Sequence, residues 1–124
     1  MLTVVFVMMS FFKAPDSRAN GGASLTRLSG ADRYATAIAV SQSLYPSADS
    51  AGSVVIASGE NFPDALSATP LAYKLNAPIL LTTPTAISAA TVTEVKRVLP
   101  NGATVYIIGG TSAVSNSVRD TLQT

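Results

Sequence analysis

Histidine and cysteine are both absent from the 124 residues of this chain. Catalysis by Ser-His-Asp or Cys-His groups, zinc sites built from His and Cys, iron–sulfur clusters and disulfide scaffolds are therefore excluded together. Charged residues are also few, at 12% of the chain against 48% hydrophobic residues. Intrinsic disorder requires the opposite balance, so length and composition together predict one folded domain.

The formal net charge is only +1, and its excess lies near the N-terminus. From Arg27 onward, six basic residues balance six acidic ones. A neutral domain is not drawn to nucleic acid or to an anionic membrane by its overall field, so we expect neither as a partner. Such low charge is unusual for a small domain, and it has two explanations: a neutral surface rich in Ala and Thr, or a face buried against other copies.

The first residues differ in composition from the rest of the chain. Residues 1–12 are almost wholly apolar, but a helix of that length is too short to span a membrane. Small residues at 17 and 19 form a cleavage-site pattern, although no Lys or Arg precedes the apolar run. We therefore predict a signal-peptide-like segment over 1–19, with a buried or artefactual segment as the alternative. Residues 20–26 are predicted to be a flexible lead-in without a fold of its own, and 27–124 the domain.

Helical and strand patterns alternate from residue 27 onward. Helices are predicted over 31–45, 63–75 and 88–99 and around Val114, Val118 and Leu122; strands are predicted over 54–57, 77–81 and 105–108. Pro70 must kink or divide the second helix. In the third, Glu94, Lys96 and Arg97 lie off the apolar stripe. The strands are continuous apolar runs, which is typical of strands covered on both faces. The sequence thus predicts an α/β fold with a small parallel sheet of about three strands flanked by helices joined by right-handed crossovers.

Two groups of residues are candidates for anion binding. Gly109, Gly110, Thr111 and Ser112 follow the third strand and could hold a phosphate with backbone N–H groups. The alternative is a tight turn followed by Ser112 as a helix N-cap. Asp32, Arg33 and Tyr34, with Arg27 before them, form the densest polar group in the chain. An arginine there could face a phosphate or carboxylate, whereas the alternative is a helix start fixed by a local Asp–Arg pair.

Two carboxylates and an apolar triplet complete the candidate residues. Glu60 and Asp64 flank Asn61 at the carboxyl end of the first strand, where open parallel sheets bind ligands. They could perform acid–base catalysis or hold a cation, but capping of the following helix explains them too. Periodicity alone assigns Ile79, Leu80 and Leu81 to a core strand.

Four motifs in order carry a resemblance to a known family. They are RLSGADRYATA at 27–37, SGENFPDAL at 58–66, APILLT at 77–82 and VYIIGG at 105–110, the last followed by Ala113-Val114-Ser115. Together they resemble the type 2 cell-wall-binding repeat of Gram-positive S-layer and surface proteins. The resemblance extends from Arg27 to about Leu122, nearly the whole predicted domain.

The resemblance implies a secreted, non-enzymatic module at the cell wall. Such modules bind an anionic secondary wall polymer non-covalently, here an anionic polysaccharide or a teichoic-acid-like polymer, without a cofactor or metal. The implied fold is a compact α/β unit of toprim-like or Rossmann-like appearance. Family members usually carry three copies around a pseudo-threefold axis, and their Ile-Leu-Leu motif, implicated in anchoring, falls on Ile79, Leu80 and Leu81. It acts on the polymer directly or by shaping the site or the trimer contact.

This chain carries one copy, which leaves three interpretations: a short protein that self-assembles, a fragment of a larger anchor, or a degenerate relic. We expect a homotrimer. Binding is predicted to combine placed arginines with helix N-termini at Ser112 and near Asp64. Two alternative functions remain, an enzyme such as a metal-assisted hydrolase using Glu60 and Asp64, and a ligand-free structural assembly unit. The predicted polymer-binding residues are Arg27, Asp32, Arg33, Tyr34, Ile79, Leu80, Leu81, Gly109, Gly110 and Ser112, with Asn61 and Asp64 as secondary candidates.

Overall fold

The computed structural model describes residues 18–19 and 22–124. The predicted signal-peptide-like segment therefore lies almost wholly outside the described residues, and nothing tests it. Two short strands, β1 (Arg18–Ala19) and β2 (Ala23–Ser24), pair antiparallel. This pairing involves only two residues on each side, so the lead-in over residues 20–26 stays a prediction.

A three-stranded parallel sheet forms the centre of the domain. Its strands are β3 (Val54–Ser58), β4 (Ile79–Thr82) and β5 (Val105–Ile108), in the order β4-β3-β5. Val55 pairs with Ile79 on one side and with Tyr106 on the other. All five residues of β3 are buried, as a central strand covered on both faces requires. The predicted α/β fold with a small parallel sheet is confirmed.

Within the described residues, five helices surround this sheet: α1 (Arg33–Leu44), α2 (Phe62–Ser67), α3 (Thr69–Lys74), α4 (Ala89–Val98) and α5 (Asn116–Leu122). The second predicted helix is divided as Pro70 requires, with Ala68 between α2 and α3. The prediction for the last helix was wrong at its start. α5 begins at Asn116 with Ser115 as its N-cap, so Val114 precedes the helix and Ser112 caps nothing.

The crossovers place the helices on opposite faces of the sheet. The chain moves from β3 outward to β4, then back across β3 to β5, and right-handed connections in opposite directions lie on opposite faces. On the first face, Val54, Ile56 and Leu80 pack with α4 residues Val95 and Val98. On the second face, Val55 packs with Ala68, Ala72 and Ala77. The first face is therefore covered by α1, α4 and α5, and the second by the short helices α2 and α3.

The first face also buries a carboxylate that is paired with a partly exposed arginine. Glu94 was predicted to lie off the apolar stripe of α4, and it is nevertheless only 2% exposed. Arg97 donates to both carboxylate oxygens, from Nε at 2.8 Å and from Nη2 at 2.7 Å, and Ser41 Oγ donates at 2.6 Å. Arg97 Nη2 also donates to the Tyr45 carbonyl at 2.8 Å. These bonds fasten the end of α1 to α4.

In the described part of the chain, no helix is long and apolar enough to cross a membrane.

Candidate functional site

The loops after β3 and β5 diverge at the carboxyl edge of the sheet. The loop after β3 leads to α2 on the second face, whereas the loop after β5 leads to α5, whose Leu122 packs on the first face. Open α/β sheets bind ligands at the edge where two adjacent loops diverge in this way. We define the carboxyl-edge site as Arg33, Tyr34, Gly59, Asn61, Asp64 and Gly109.

Arg33 and Tyr34 enter this site from the first turn of α1. Arg33 Nη1 donates a hydrogen bond to the Gly59 carbonyl at the end of β3. A Cβ on Gly59 would lie 2.6 Å from Cε1 of Tyr34 and 3.2 Å from Cδ of Arg33. Both side chains thus rest against a backbone position that only glycine leaves open. Arg33 is exposed, so its guanidinium is positioned at the strand end and remains accessible to an anion.

The turn before α1 is fixed by Asp32 and Thr36. Asp32 is the N-cap, and its carboxylate accepts a hydrogen bond from the Ala35 N–H at 2.8 Å. Thr36 Oγ1 accepts from the Gly30 N–H at 3.0 Å and donates to the Asp32 carbonyl at 2.8 Å. A Cβ on Gly30 would lie 2.4 Å from that of Ala35. Asp32 therefore caps the helix, as one of the two interpretations predicted. The described hydrogen bond of the Arg33 side chain goes to Gly59 and not to Asp32.

Asn61 and Asp64 form the other wall of the site, at the start of α2. Asn61 Nδ2 donates to Asp64 Oδ2 at 3.2 Å. The same carboxylate oxygen lies 2.8 Å from the position that a Cβ on Gly109 would occupy. Gly109 has φ +111°, a conformation that glycine adopts without strain. Asp64, which follows β3 in the chain, therefore lies against Gly109 at the end of β5.

Two buried hydroxyl groups hold the loops of this edge, and the sequence analysis did not select either. Ser58 Oγ accepts hydrogen bonds from the Glu60 and Asn61 N–H groups at 3.2 and 3.3 Å. Thr82 Oγ1 donates to the Ala86 carbonyl at 3.0 Å. Both residues are at most 1% exposed. A signal for them was present, since each is the polar residue that ends an apolar strand run.

The remaining predicted residues are distributed around this edge. Leu80 is fully buried in the first-face core, so it offers no surface to a ligand. Ile79 and Leu81 are half-buried on the second face, and Gly110 and Ser112 are exposed in the turns after β5. Arg27 lies in the extended, exposed segment before α1. No described contact joins Arg27 or Ser112 to Arg33.

An apolar groove lies beside β4 on the outer side of the domain. It has a volume of about 390 Å³ and runs between the end of α1 and α3. Its lining includes Val40, Leu44 and Tyr73, which are 38%, 64% and 89% exposed, together with Ile79. No charged residue lines this groove. Exposed apolar side chains that share one concave surface are typical of an interaction site.

The carboxyl-edge site holds one positioned cation and two acidic side chains nearby, Asp64 and Glu60. Among the described residues, no three of His, Cys, Asp and Glu lie together as a potential ligand set. Asp64 is already engaged by Asn61, and Glu60 is exposed. The positioned cation of Arg33 is a group that recognises phosphate or carboxylate through its planar fork.

Comparison with protein families and solved structures identifies relatives of this domain. Residues 27–119 match the family described as cell wall binding domain 2 (CWB2). The structure of Cwp8 from Clostridium difficile is similar with a TM-score of 0.73 and 32% identity, covering 77% of this chain and 16% of that one. For Cwp6 from the same organism, the TM-score is 0.70 with 32% identity, covering 86% and 17%.

Two Bacillus subtilis (strain 168) proteins are similar in sequence. The N-acetylmuramoyl-L-alanine amidase LytC is 37% identical over 122 residues, which is 98% of this chain and 23% of LytC. The amidase enhancer is 35% identical over 97 residues, 78% of this chain and 13% of that protein. The chain thus spans less than a quarter of the length of each of these relatives, so the similarity covers only one part of an amidase.

Proposed function

The chain belongs to the cell wall binding domain 2 family, and from this premise we propose that it anchors non-covalently to an anionic polymer of the cell wall, outside the cell. The observation that carries the proposal is the exposed guanidinium of Arg33, held at the carboxyl edge of the sheet by the Gly59 carbonyl. Because the domain from Arg27 onward has no net charge, recognition of an anion depends on such positioned groups.

Several weak contacts along one polymer are sufficient for anchoring. A repeating polymer meets identical sites on neighbouring modules, so avidity replaces high affinity at any single site. In the proposed site, Arg33 makes the charged contact, while Tyr34, Asn61 and Gly109 form the surface around it. Arg27, Gly110 and Ser112 extend the proposed surface from the neighbouring loops.

We expect Arg33→Ala to weaken retention on purified wall about tenfold, because a hydrogen bond to a charged group is worth about 1.5–3 kcal/mol. The measurement is co-sedimentation with native wall and with wall stripped of its anionic polymer. Lys74→Ala is the matched control, because it removes one exposed cation at the other end of the α2–α3 segment. Unchanged retention of the Arg33 variant would remove this residue from the site. Equal retention on native and stripped wall would favour a ligand-free assembly role.

We further propose that copies of the chain associate, as a homotrimer, through the groove beside β4. The support is the uncharged lining and the exposure of Leu44 and Tyr73. Burial of such side chains against another copy stabilises association by about 25 cal/mol for each Å² removed from water.

The self-association proposal is tested by the molar mass from sedimentation equilibrium at micromolar concentration. We expect a trimer for the wild type and a shift toward monomer for Leu44→Ser. Leu66→Ser is the matched control, since Leu66 is 66% exposed against 64% for Leu44 but does not line the groove. A monomeric wild type contradicts the proposal, as does an equal effect of the two variants.

A further inference from the structure

The turn between α4 and β5 holds an asparagine followed by glycine in an unusually open position. The Ala103 N–H donates to the Pro100 carbonyl at 3.1 Å, which closes a four-residue turn around Asn101 and Gly102. Gly102 has φ +81°, as the third residue of a type II turn requires. Both central residues are exposed, and apart from the two chain neighbours no described residue has an atom within 4 Å of a Cβ built on Gly102.

The backbone nitrogen of Gly102 is free to react. Among the described residues, nothing accepts a hydrogen bond from its N–H group. The Asn101 side-chain carbonyl carbon is the neighbouring electrophile, and the absent Gly102 side chain leaves the approach between them unhindered. Asparagine is one of the thermally labile residues of proteins, and exposed turn tips are where such chemistry concentrates.

The other described asparagines lack this combination. Asn76 precedes Ala77, whose N–H is engaged with the Ala72 carbonyl at 2.9 Å. Asn116 lies within helix α5, whose backbone holds the next nitrogen away from the side chain. Asn61 donates its amide to Asp64 and is followed by the bulky Phe62. The contrast thus rests on structure as well as on sequence.

We propose that Asn101 is a site of spontaneous deamidation in the folded protein. The Gly102 backbone nitrogen loses its proton and attacks Cγ of Asn101, forming a new C–N bond as the bond from Cγ to Nδ2 breaks. That nitrogen leaves as ammonia and carries the proton away. Water then adds to one of the two carbonyl carbons of the five-membered succinimide and opens it. Opening on one side gives aspartate, and opening on the other gives isoaspartate, in which the main chain runs through the side-chain carbon.

The modification would change the surface away from the carboxyl-edge site. Each event adds one carboxylate, so the formal net charge falls from +1 to 0. The turn precedes β5, so the new charge lies at the amino end of the sheet, opposite Arg33 and Gly59. We therefore expect deamidated protein to retain wall binding while it separates from the parent on ion exchange.

The experiment is incubation of the folded full chain in mildly alkaline buffer at physiological temperature, followed by tryptic mapping. The peptide 98–119 contains Asn101 and Asn116, and fragmentation distinguishes them by the position of a gain of one mass unit. Peptides 34–74 and 75–96 report Asn61 and Asn76, and peptide 19–27 reports the Asn20-Gly21 pair. An isoaspartate-specific methyltransferase then labels the rearranged product.

We expect conversion at Asn101 ahead of Asn61, Asn76 and Asn116, with isoaspartate among the products. Asn101→Gln is the matched control, because it retains the amide but disfavours the five-membered ring, and it should leave peptide 98–119 unlabelled. Conversion at Asn101 only in urea-unfolded chain would show that the folded turn protects it and would overturn the proposal. Earlier conversion at Asn76 or Asn116 would also overturn it.

Discussion

The two faces of the sheet are covered in different ways. On the first face, α1 and α4 bury large aliphatic side chains and the Glu94 carboxylate, which accepts hydrogen bonds from Ser41 and Arg97. On the second face, α2 contributes no residue to the buried core and α3 contributes Ala72, with Ala68 buried between the two helices. Leu66 and Tyr73 of these helices remain exposed.

From this difference we expect the first face to contribute mainly to stability and the second mainly to interaction. The first face contains the larger apolar contacts and the buried charges, so substitutions there should affect folding. The second face keeps apolar side chains in solvent, and Ile79 and Leu81 lie half-buried beneath it. Substitutions of Tyr73, Ile79 and Leu81 should therefore affect binding and association more than the free energy of unfolding.

The largest expected effect comes from removing Arg97. Arg97→Ala leaves Glu94 buried without its partner, and we expect a loss of about 3–5 kcal/mol in the free energy of unfolding. Urea denaturation measures this change. Arg119→Ala is the matched control, because its pair with Asp120 at 2.8 Å is 53% and 61% exposed. Such a surface pair is worth about 0–1 kcal/mol. Equal losses of unfolding free energy in the two variants would contradict the contrast between the first-face pair and the surface pair.

Adjacent leucines of β4 allow a second comparison. Leu80 faces the first face and is fully buried, so Leu80→Ala should cost about 2–5 kcal/mol. Leu81 is half-buried on the opposite face, and the same substitution should cost less. Wall retention of the two folded variants provides the second measurement. The division between faces is supported if Leu81→Ala lowers wall retention more than Leu80→Ala does and lowers the free energy of unfolding less. If Leu80→Ala has the larger effect on retention and the smaller effect on stability, the division is contradicted.

The smallest expected effect is a change in acid stability. Burial raises the pKa of Glu94, but hydrogen bonds from Arg97 and Ser41 outweigh it, so the pKa lies below its usual 4.5. A carboxyl group with a lowered pKa in the folded state stabilises the protein above about pH 4.5, and this contribution is lost as the pH falls through the lowered value. Denaturation at decreasing pH should show this loss in the wild type but not in Glu94→Gln. Parallel curves for the two proteins would exclude Glu94 as the cause.

The sequence predicted the sheet because its strands are continuous apolar runs bounded by Gly and Pro. It also predicted the division of the helix at Pro70, since proline cannot continue a helical hydrogen-bond ladder. The motifs identified the family. Arg33 was selected from the dense polar group at the start of the first helix, and Asp64 from its place near a strand end. These features depend on local pattern, which a single sequence contains.

Other features depend on tertiary packing and were missed. Glu94 lies off the apolar stripe of α4, and the sequence does not reveal that Ser41 of α1 packs against it and contributes to its burial. Ser112 follows a strand and two glycines, yet Ser115 begins the helix, and its N–H donates to the Pro84 carbonyl of a distant loop. The role of Gly59 could not be predicted either, because Tyr34 reaches it from another element.

The missing side chain of Gly59 lets Tyr34 and Arg33 pack against the end of β3 before any ligand arrives. In the proposed site, little rotational freedom would therefore be lost when an acidic group binds to Arg33. A polymer that contacts many such modules would thus meet the same positioned guanidinium on each of them. It could move from one module to the next without a conformational change in the protein.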